Sequence, residues 1–399
     1  MEEVKKGGSI PLILDSGNLF FNQNPIPDEM KAQMRLKADL LADAYKKIGI
    51  DALNVGELDL AFGVNYLFDK RKNPGLPFVS SNIVYRVGGK EVFQPYIAKE
   101  VKGVKVAIFG LIPLLPNLGN NKDIKLLSPF DTARTMIGKL KGKADLIILL
   151  SNLGQQEDEK LAREVPGIDL IVGGRTRVLL QTPVKIGNTL ILQAQAQGKQ
   201  IGRLDLNPTT KAFVNSMTPM DEKVAKNEEI DGMVKRYKDA VVTLHSERPQ
   251  PKVQEPFLKT YIGEAECARC HPAQSAFWKE TSHARAYETL VVKKSHMDLE
   301  CIGCHTTGYG VPGGFRLRME APDLRNVQCE ACHGPGGRHM GKGDIRRIID
   351  PSVCTGCHNK ERDPKFNFIS SVGKVRCPNL KIDIPLSKAQ KPLLDKGFQ

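Results

Sequence analysis

The sequence predicts two domains of different class: a layered α/β domain over residues 1–246 and a mainly α-helical, irregular domain over residues 261–377. A linker at 247–260 would join them, and a tail would run from 378 to 399. Three observations carry this division. Short apolar runs alternate with amphipathic stretches through the first 246 residues, the pattern of a layered α/β sandwich. All nine cysteines and seven of the eight histidines lie beyond residue 246. Between the two regions stand Pro249, Pro251 and Pro256 among polar residues, a linker composition.

The elements follow in chain order. The apolar run 10–15 predicts a strand, and a helix is predicted over 28–48, starting at Pro27-Asp28 and stopping at Gly49. Strands at 51–55, 78–84 and 104–111 come next, then a helix at 129–141, a strand at 145–150, a helix at 157–164 and a strand at 169–172. Strands at 189–193 and 201–206 precede a Lys- and Glu-rich helix at 221–245, expected on the surface. The region from 261 to 368 is rich in Gly and poor in long periodic patterns, so its own apolar side chains are too few for an ordinary core. Pro378, Pro385 and Pro392 punctuate the expected tail.

Four CxxCH motifs fall within 92 residues and use eight of the nine cysteines. They are Cys267-Ala268-Arg269-Cys270-His271, Cys301-Ile302-Gly303-Cys304-His305, Cys329-Glu330-Ala331-Cys332-His333 and Cys354-Thr355-Gly356-Cys357-His358. C-x-x-C-H is the attachment signature of c-type haem: two thiols form thioethers to the vinyl groups and the His becomes the proximal iron ligand. Paired CxxC can also build zinc sites, but zinc does not require a His after every second Cys. A disulfide framework is weaker still, because the CxxC loop is too short for most structural bridges. The expectation is four covalently bound haem c groups, whose porphyrins would supply the missing core. Cys377 is left over and expected to be free and inert.

The chain is 41% apolar and 26% charged, ordinary for a soluble protein, and no run of 18 apolar residues predicts a membrane span. Its charge of +13 invites a nucleic-acid reading, yet four haems would bring about eight propionates and leave about +5. No basic helix with interleaved aromatics stands out, so nucleic-acid binding is not expected. Haem attachment to CxxCH takes place outside the bacterial cytoplasm. Residues 1–10 carry no apolar signal core, so an exported, periplasmic or extracellular form with its signal removed is expected.

A haem iron has two axial positions. Beyond the motif histidines, His245, His283, His296 and His339 remain, enough for bis-histidine ligation of all four irons. Met297, Met319 and Met340 are weaker alternatives. The stretch from Cys267 through Trp278-Lys279-Glu280-Thr281-Ser282-His283-Ala284 and Cys301–His305-Thr306-Thr307-Gly308 to Cys329–His333-Gly334-Pro335-Gly336 with His339 resembles the tetrahaem cytochromes c that accept electrons from hydroxylamine oxidoreductase in nitrifiers. The likeness covers roughly residues 261–370. It implies that His283 serves the Cys329/Cys332 haem and His339 the Cys267/Cys270 haem. It also implies a five-coordinate second haem. The family takes its fourth ligand from just before the fourth motif, and this chain has no His between His339 and His358, so His296 or His245 must substitute or an iron stays open.

Residues 10–206 are similar to a second family, the 5′-nucleotidase group of calcineurin-like metallophosphatases. The matching segments include Leu14-Asp15-Ser16-Gly17-Asn18, Val55-Gly56-Glu57-Leu58-Asp59, Ser81-Asn82-Ile83, Ser151-Asn152-Leu153-Gly154 and Gly173-Gly174-Arg175-Thr176-Arg177. The framework agrees and the metal ligands do not. Asn18 stands at the Gly-Asp ligand, Glu57 and Leu58 at the Asn-His pair, Asn152 at the Ser-His ligand, and Arg175 and Arg177 at the Gly-His-x-His pair. Arginine stays protonated and Leu58 has no donor atom, so the two-metal chemistry of the family should be lost. Arg175 and Arg177 then remain as an anion site or as solvated charges.

Together these readings favour an electron-transfer protein over an enzyme, with other redox proteins, chiefly multihaem cytochromes, as partners and an oligomer possible. Two alternatives compete: a reductase of a small nitrogen or oxygen species at an open haem, and a redox-linked phosphoesterase.

Overall fold

A computed structural model describes residues 10–72, 75–119, 121–247, 260–318, 322–339, 345–346 and 349–378. Residues 248–259 of the expected linker and 379–399 of the expected tail lie outside them. The chain divides into two compact units, Met1–Val234 and Lys235–Gln399.

The first unit is an α/β sandwich, as its alternating pattern predicts. β1 (Leu14–Asp15), β2 (Ala52–Asn54) and β3 (Phe78–Val79) form a parallel three-stranded sheet. β4 (Ile83–Tyr85) pairs with β7 (Ile124–Leu126). β5 (Tyr96–Val101), β6 (Val104–Leu111), β8 (Leu146–Ser151), β9 (Leu170–Gly173), β10 (Val184–Ile186) and β11 (Thr189–Leu192) form a six-stranded sheet in the order β10-β11-β9-β8-β6-β5. Its four inner strands are parallel and its two edge strands antiparallel. β12 (Gln200–Leu206) and β13 (Phe213–Pro219) make a separate hairpin.

Side chains of β6 show how the layers stack. Val106 and Ile108 enter the core shared with Ala52 and Val79 of the small sheet, whereas Ala107, Phe109 and Leu111 enter the core on the other face. That second core is roofed by α3 (Pro129–Leu140) and α4 (Gln155–Glu164) through Met136, Leu140 and Leu161. Beyond the small sheet, α1 (Lys31–Ile48) and α2 (Val64–Lys72) bury Met34, Ala38 and Leu67 against Leu53 and Phe78. The order of layers is helix, six-stranded sheet, three-stranded sheet, helix.

Several boundaries differ from the sequence reading. The strand expected at 78–84 breaks into β3 and β4 because the buried amide of Asn82 turns aside to Ile112 O (2.8 Å) and Leu127 O (3.1 Å). The strand expected at 10–15 shrinks to two residues. β5, β7, β10, β13 and α2 were not expected.

The last long helix, α5 (Glu228–Glu247), crosses from one unit into the other, so the division falls within it and not after residue 246. The cause is packing. Val241 and His245 are 2% and 3% exposed, Lys238 Nζ donates to Lys293 O at 2.8 Å, and Arg318 Nη1 donates to Ser246 O at 2.6 Å. The rest of the second unit is made of short helices: α6 (Glu264–Ala268), α7 (Pro272–Lys279), α8 (Ala286–Val292), α9 (Leu299–Ile302), α10 (Cys329–His333), α11 (Pro351–Thr355) and α12 (Phe368–Val372). Its buried apolar residues among those described are few, including Tyr261, Leu290, Leu299, Ile302, Phe315 and Leu324. No helix among the described residues is long and apolar enough to cross a membrane.

Candidate functional site

Each CxxCH motif begins in a short helix, which sets its two thiols one turn apart: Cys267 in α6, Cys301 in α9, Cys329 in α10 and Cys354 in α11. Asp298 and Asp350 cap the second and fourth of these helices, accepting from Glu300 N (2.9 Å) and Ser352 N (2.8 Å).

Motifs distant in sequence meet in pairs. The Cys329 thiol lies beside that of Cys267, bringing the third motif to the first, and the Cys357 thiol beside that of Cys304, bringing the fourth to the second; Cys332 of the third motif is in turn near Cys354 and Cys357 of the fourth. Glu330 holds the first junction. It is 2% exposed, and its carboxylate accepts from Ile262 N (3.0 and 3.1 Å), Gly263 N (2.8 Å) and Gly336 N (2.7 Å). Gln328 adds Glu264 N at 2.7 Å. At the second junction the hydrogen bond from Cys357, with the nearby Arg362 and His305 charges, draws the Cys304 thiol down to about 6 against its burial.

The motif histidines are oriented from behind. Nδ1 of His305 donates to Ala286 O at 2.6 Å, that of His333 to Arg346 O at 2.7 Å, and that of His358 to Asp363 Oδ2 at 2.8 Å. A ring that donates from Nδ1 keeps Nε2 free to bind a metal, the arrangement of metal-ligating histidines. Two thiols and an Nε2 held in this way fit a group attached by two thioethers and one imidazole.

Two further rings face motif histidines. His339 lies 6.2 Å from His271, centre to centre, with planes 20° apart, and His283 lies 6.1 Å from His358. Two imidazoles on opposite sides of one metal, each bound at about 2 Å with about 1 Å from nitrogen to ring centre, place their centres ~6 Å apart. Nδ1 of His339 is buried without a hydrogen-bond partner. Burial, followed by the nearby His358, lowers the pKa of His283, which favours the neutral ring that a metal ligand needs.

The resemblance gives His283 to the third haem; in this structure its ring lies 6.1 Å from that of the fourth-motif His358, with planes 50° apart. Its backbone is tied next to the third motif, where Val327 N donates to His283 O at 3.1 Å. His296 sits edge-on to Tyr287 at 6.4 Å, its Nδ1 buried and without a partner. His245 is buried in the same unit as the motifs, at the end of α5. Met319 and Met340 lie outside the described residues. Cys377 lies beside Cys329 and Cys332, and burial pushes its thiol up, away from the reactive thiolate.

In the first unit the positions equivalent to metal ligands form a closed hydrogen-bonded network. Arg175 meets Glu57 as a fork, Nε to Oε1 at 3.0 Å and Nη2 to Oε2 at 3.1 Å. Asn152 Oδ1 accepts from Glu57 N (3.3 Å), and its amide donates to Ser16 O (3.3 Å). Asn18 Oδ1 accepts from Leu58 N at 2.8 Å. The buried Asp59 takes three backbone N–H groups, from Asn18 (2.7 Å), Gly56 (2.9 Å) and Phe20 (3.0 Å), yet burial still pushes its carboxyl up to about 6. Gly56 is required here, since a Cβ would stand 2.2 Å from Asn18 Oδ1. The Glu57–Arg175 pair was missed in the sequence. Its signal was the double replacement itself, an acid at one ligand position and a base at another.

Residues 266–334 match the family model of cytochrome c554 and c-prime. Cytochrome c-554 of Nitrosomonas europaea is 39% identical over 96 residues, which are 20% of this chain and 41% of that protein. A 5′-nucleotidase of Vibrio vulnificus is 27% identical over 297 residues, 65% of this chain and 51% of that protein. A 5′-nucleotidase precursor from Thermus thermophilus shares the fold, with a TM-score of 0.53 at 23% identity over 68% of this chain and 61% of that one. The chain thus spans about half or less of the two relatives aligned by sequence. It joins a 5′-nucleotidase-type α/β domain to a C-terminal cytochrome c554-type domain, a type that carries covalently bound haem c.

Proposed function

We propose that this chain is an exported tetrahaem c-type cytochrome that passes electrons to and from other redox proteins, and that its first domain is a scaffold or docking surface without phosphatase chemistry. The observation that carries the electron-transfer reading is the meeting of Cys267 with Cys329 and of Cys304 with Cys357. Thiols that lie side by side across motifs would bring the edges of the groups attached to them together. Bound haem supplies one-electron chemistry. The eight motif thiols would hold it as thioethers, the Nδ1 hydrogen bonds orient the rings of His305, His333 and His358, and His339 and His283 would supply a second imidazole at two of the four motifs. A haem held between two imidazoles would have no open face for a substrate, which favours electron transfer at those two motifs.

Loss of phosphatase chemistry is supported by the Glu57–Arg175 fork and by the amides of Asn18 and Asn152, each engaged with backbone. An anion at Arg175 would have to displace Glu57.

Rapid mixing of the oxidised protein with a small electron donor tests the reading. Multiphasic reduction is expected, followed by fast exchange with a second multihaem cytochrome. Saturable turnover of nitrite, hydroxylamine or peroxide, abolished by a ligand that binds one open haem, would favour the reductase instead.

A further inference from the structure

The turn after the fourth motif carries two adjacent residues of opposite charge that reach two different motifs. Asn359 builds the turn. Its Oδ1 accepts from Glu361 N (3.1 Å) and Arg362 N (3.0 Å), and its carbonyl accepts from Asp363 N (2.7 Å). Phe366 closes it, donating to Asp363 O at 3.0 Å and stacking on His358 with ring centres 4.7 Å apart. Held this way, Arg362 Nη1 donates to Cys304 Sγ at 3.1 Å, while Asp363 Oδ2 accepts from His358 Nδ1 at 2.8 Å. Cys304 belongs to the second motif and His358 to the fourth, and these two motifs meet through Cys304 and Cys357. The Cys304 sulfur, a thiol here, stands in for the thioether sulfur of the haem-loaded protein.

We infer that Arg362 and Asp363 set a difference in potential between the neighbouring haems of the second and fourth motifs, and so the direction in which electrons pass between them. The inference rests on the haem attachment proposed above. Arg362 also lies near Cys357, but its hydrogen bond goes to the Cys304 sulfur, so its positive charge favours the reduced state and raises the potential most at the second motif. A carboxylate on the Nδ1 of a proximal ring makes the ring a stronger base, favours the oxidised iron and lowers the potential. The second motif has no such carboxylate, since His305 Nδ1 meets the neutral carbonyl of Ala286 at 2.6 Å. Both effects act in one direction: low potential at the fourth motif, high at the second. One electron moves from the fourth to the second, with no bond made and no atom transferred. Water screens the field of Asp363, which is 41% exposed, but the hydrogen bond to His358 is direct and survives that screening.

The test uses the full chain with its haems in place. Haem content is measured first by mass, which separates a failure of attachment from a failure of this inference. Redox titration followed by visible and electron paramagnetic resonance spectra then compares Arg362→Gln and Asp363→Asn with the parent. Asp363→Asn should move one midpoint upward, and Arg362→Gln should move a different midpoint downward. The double variant should narrow the gap from both sides. Arg362→Lys, which keeps the charge, should titrate close to the parent. With four haems present, unmoved midpoints, a single midpoint moved by both variants, or an Arg362→Lys shift as large as that of Arg362→Gln would overturn the inference. If Asp363→Asn loads fewer than four haems, Asp363→Glu must load all four; failure of both would show a structural role and overturn it as well.

Discussion

At the scale of single residues, the imidazole pairs make the sharpest claim. Replacing His339 or His283 with Ala should each convert one low-spin haem to high-spin and raise its potential, and the two variants should affect different haems. Spectra identical to the parent in both would remove these residues as ligands. Asp158 offers a test in the first unit. Burial pushes its carboxyl up to about 7, with the Ser151 hydroxyl pulling the other way and Glu157 and Glu159 pushing further. Its folded value lies above its unfolded one, so its contribution to stability is full below about pH 4 and is lost as pH rises through about 7. Asp158→Asn should therefore flatten the loss of stability over that range, by up to about 4 kcal/mol. Chemical denaturation followed by circular dichroism at several pH values checks this, and an unchanged pH slope would contradict it. Residue identity was also what the sequence displayed best. The eight motif cysteines and four motif histidines stand out as candidates directly, because an attachment motif is local in sequence. Which ring faces which was not readable. Glu330 shows why: a residue lying inside one motif fixes the position of another through backbone N–H groups more than sixty residues away.

At the scale of elements, the long buried strands were legible and the short ones were not. β6 and β8 read clearly because each buries six consecutive residues, almost all of them apolar, on both faces. β5 alternates partly buried with exposed residues at a sheet edge, and β10 is three residues long, so neither leaves a strong pattern. The same logic misplaced α5. Its Lys- and Glu-rich surface marks an exposed helix, and nothing local announces that Val241 and His245 are buried in the second unit. Val241→Ala should consequently destabilise the haem-bearing unit by about 2 kcal/mol and leave the first unit unaffected. Limited proteolysis with mass mapping of the fragments would show which unit loosens. Faster cleavage within 10–206, with 261–377 unchanged, would contradict the assignment.

At the scale of the whole molecule, one chain combines a 5′-nucleotidase-type framework that carries a Glu57–Arg175 pair with a domain whose short helices present four CxxCH motifs. The purified chain should not hydrolyse nucleotides or model phosphate esters, and added manganese, zinc or calcium should not change that. Stoichiometric binding of two such metals with turnover would overturn the scaffold reading. The central claim is that the four motifs carry four haems in two adjoining pairs, and the intact mass of the denatured, fully matured chain tests it most directly. The account predicts the chain mass plus four haems, with one haem mapped to each of the peptides around Cys267, Cys301, Cys329 and Cys354. Three haems or fewer, or stoichiometric zinc in their place, would contradict it.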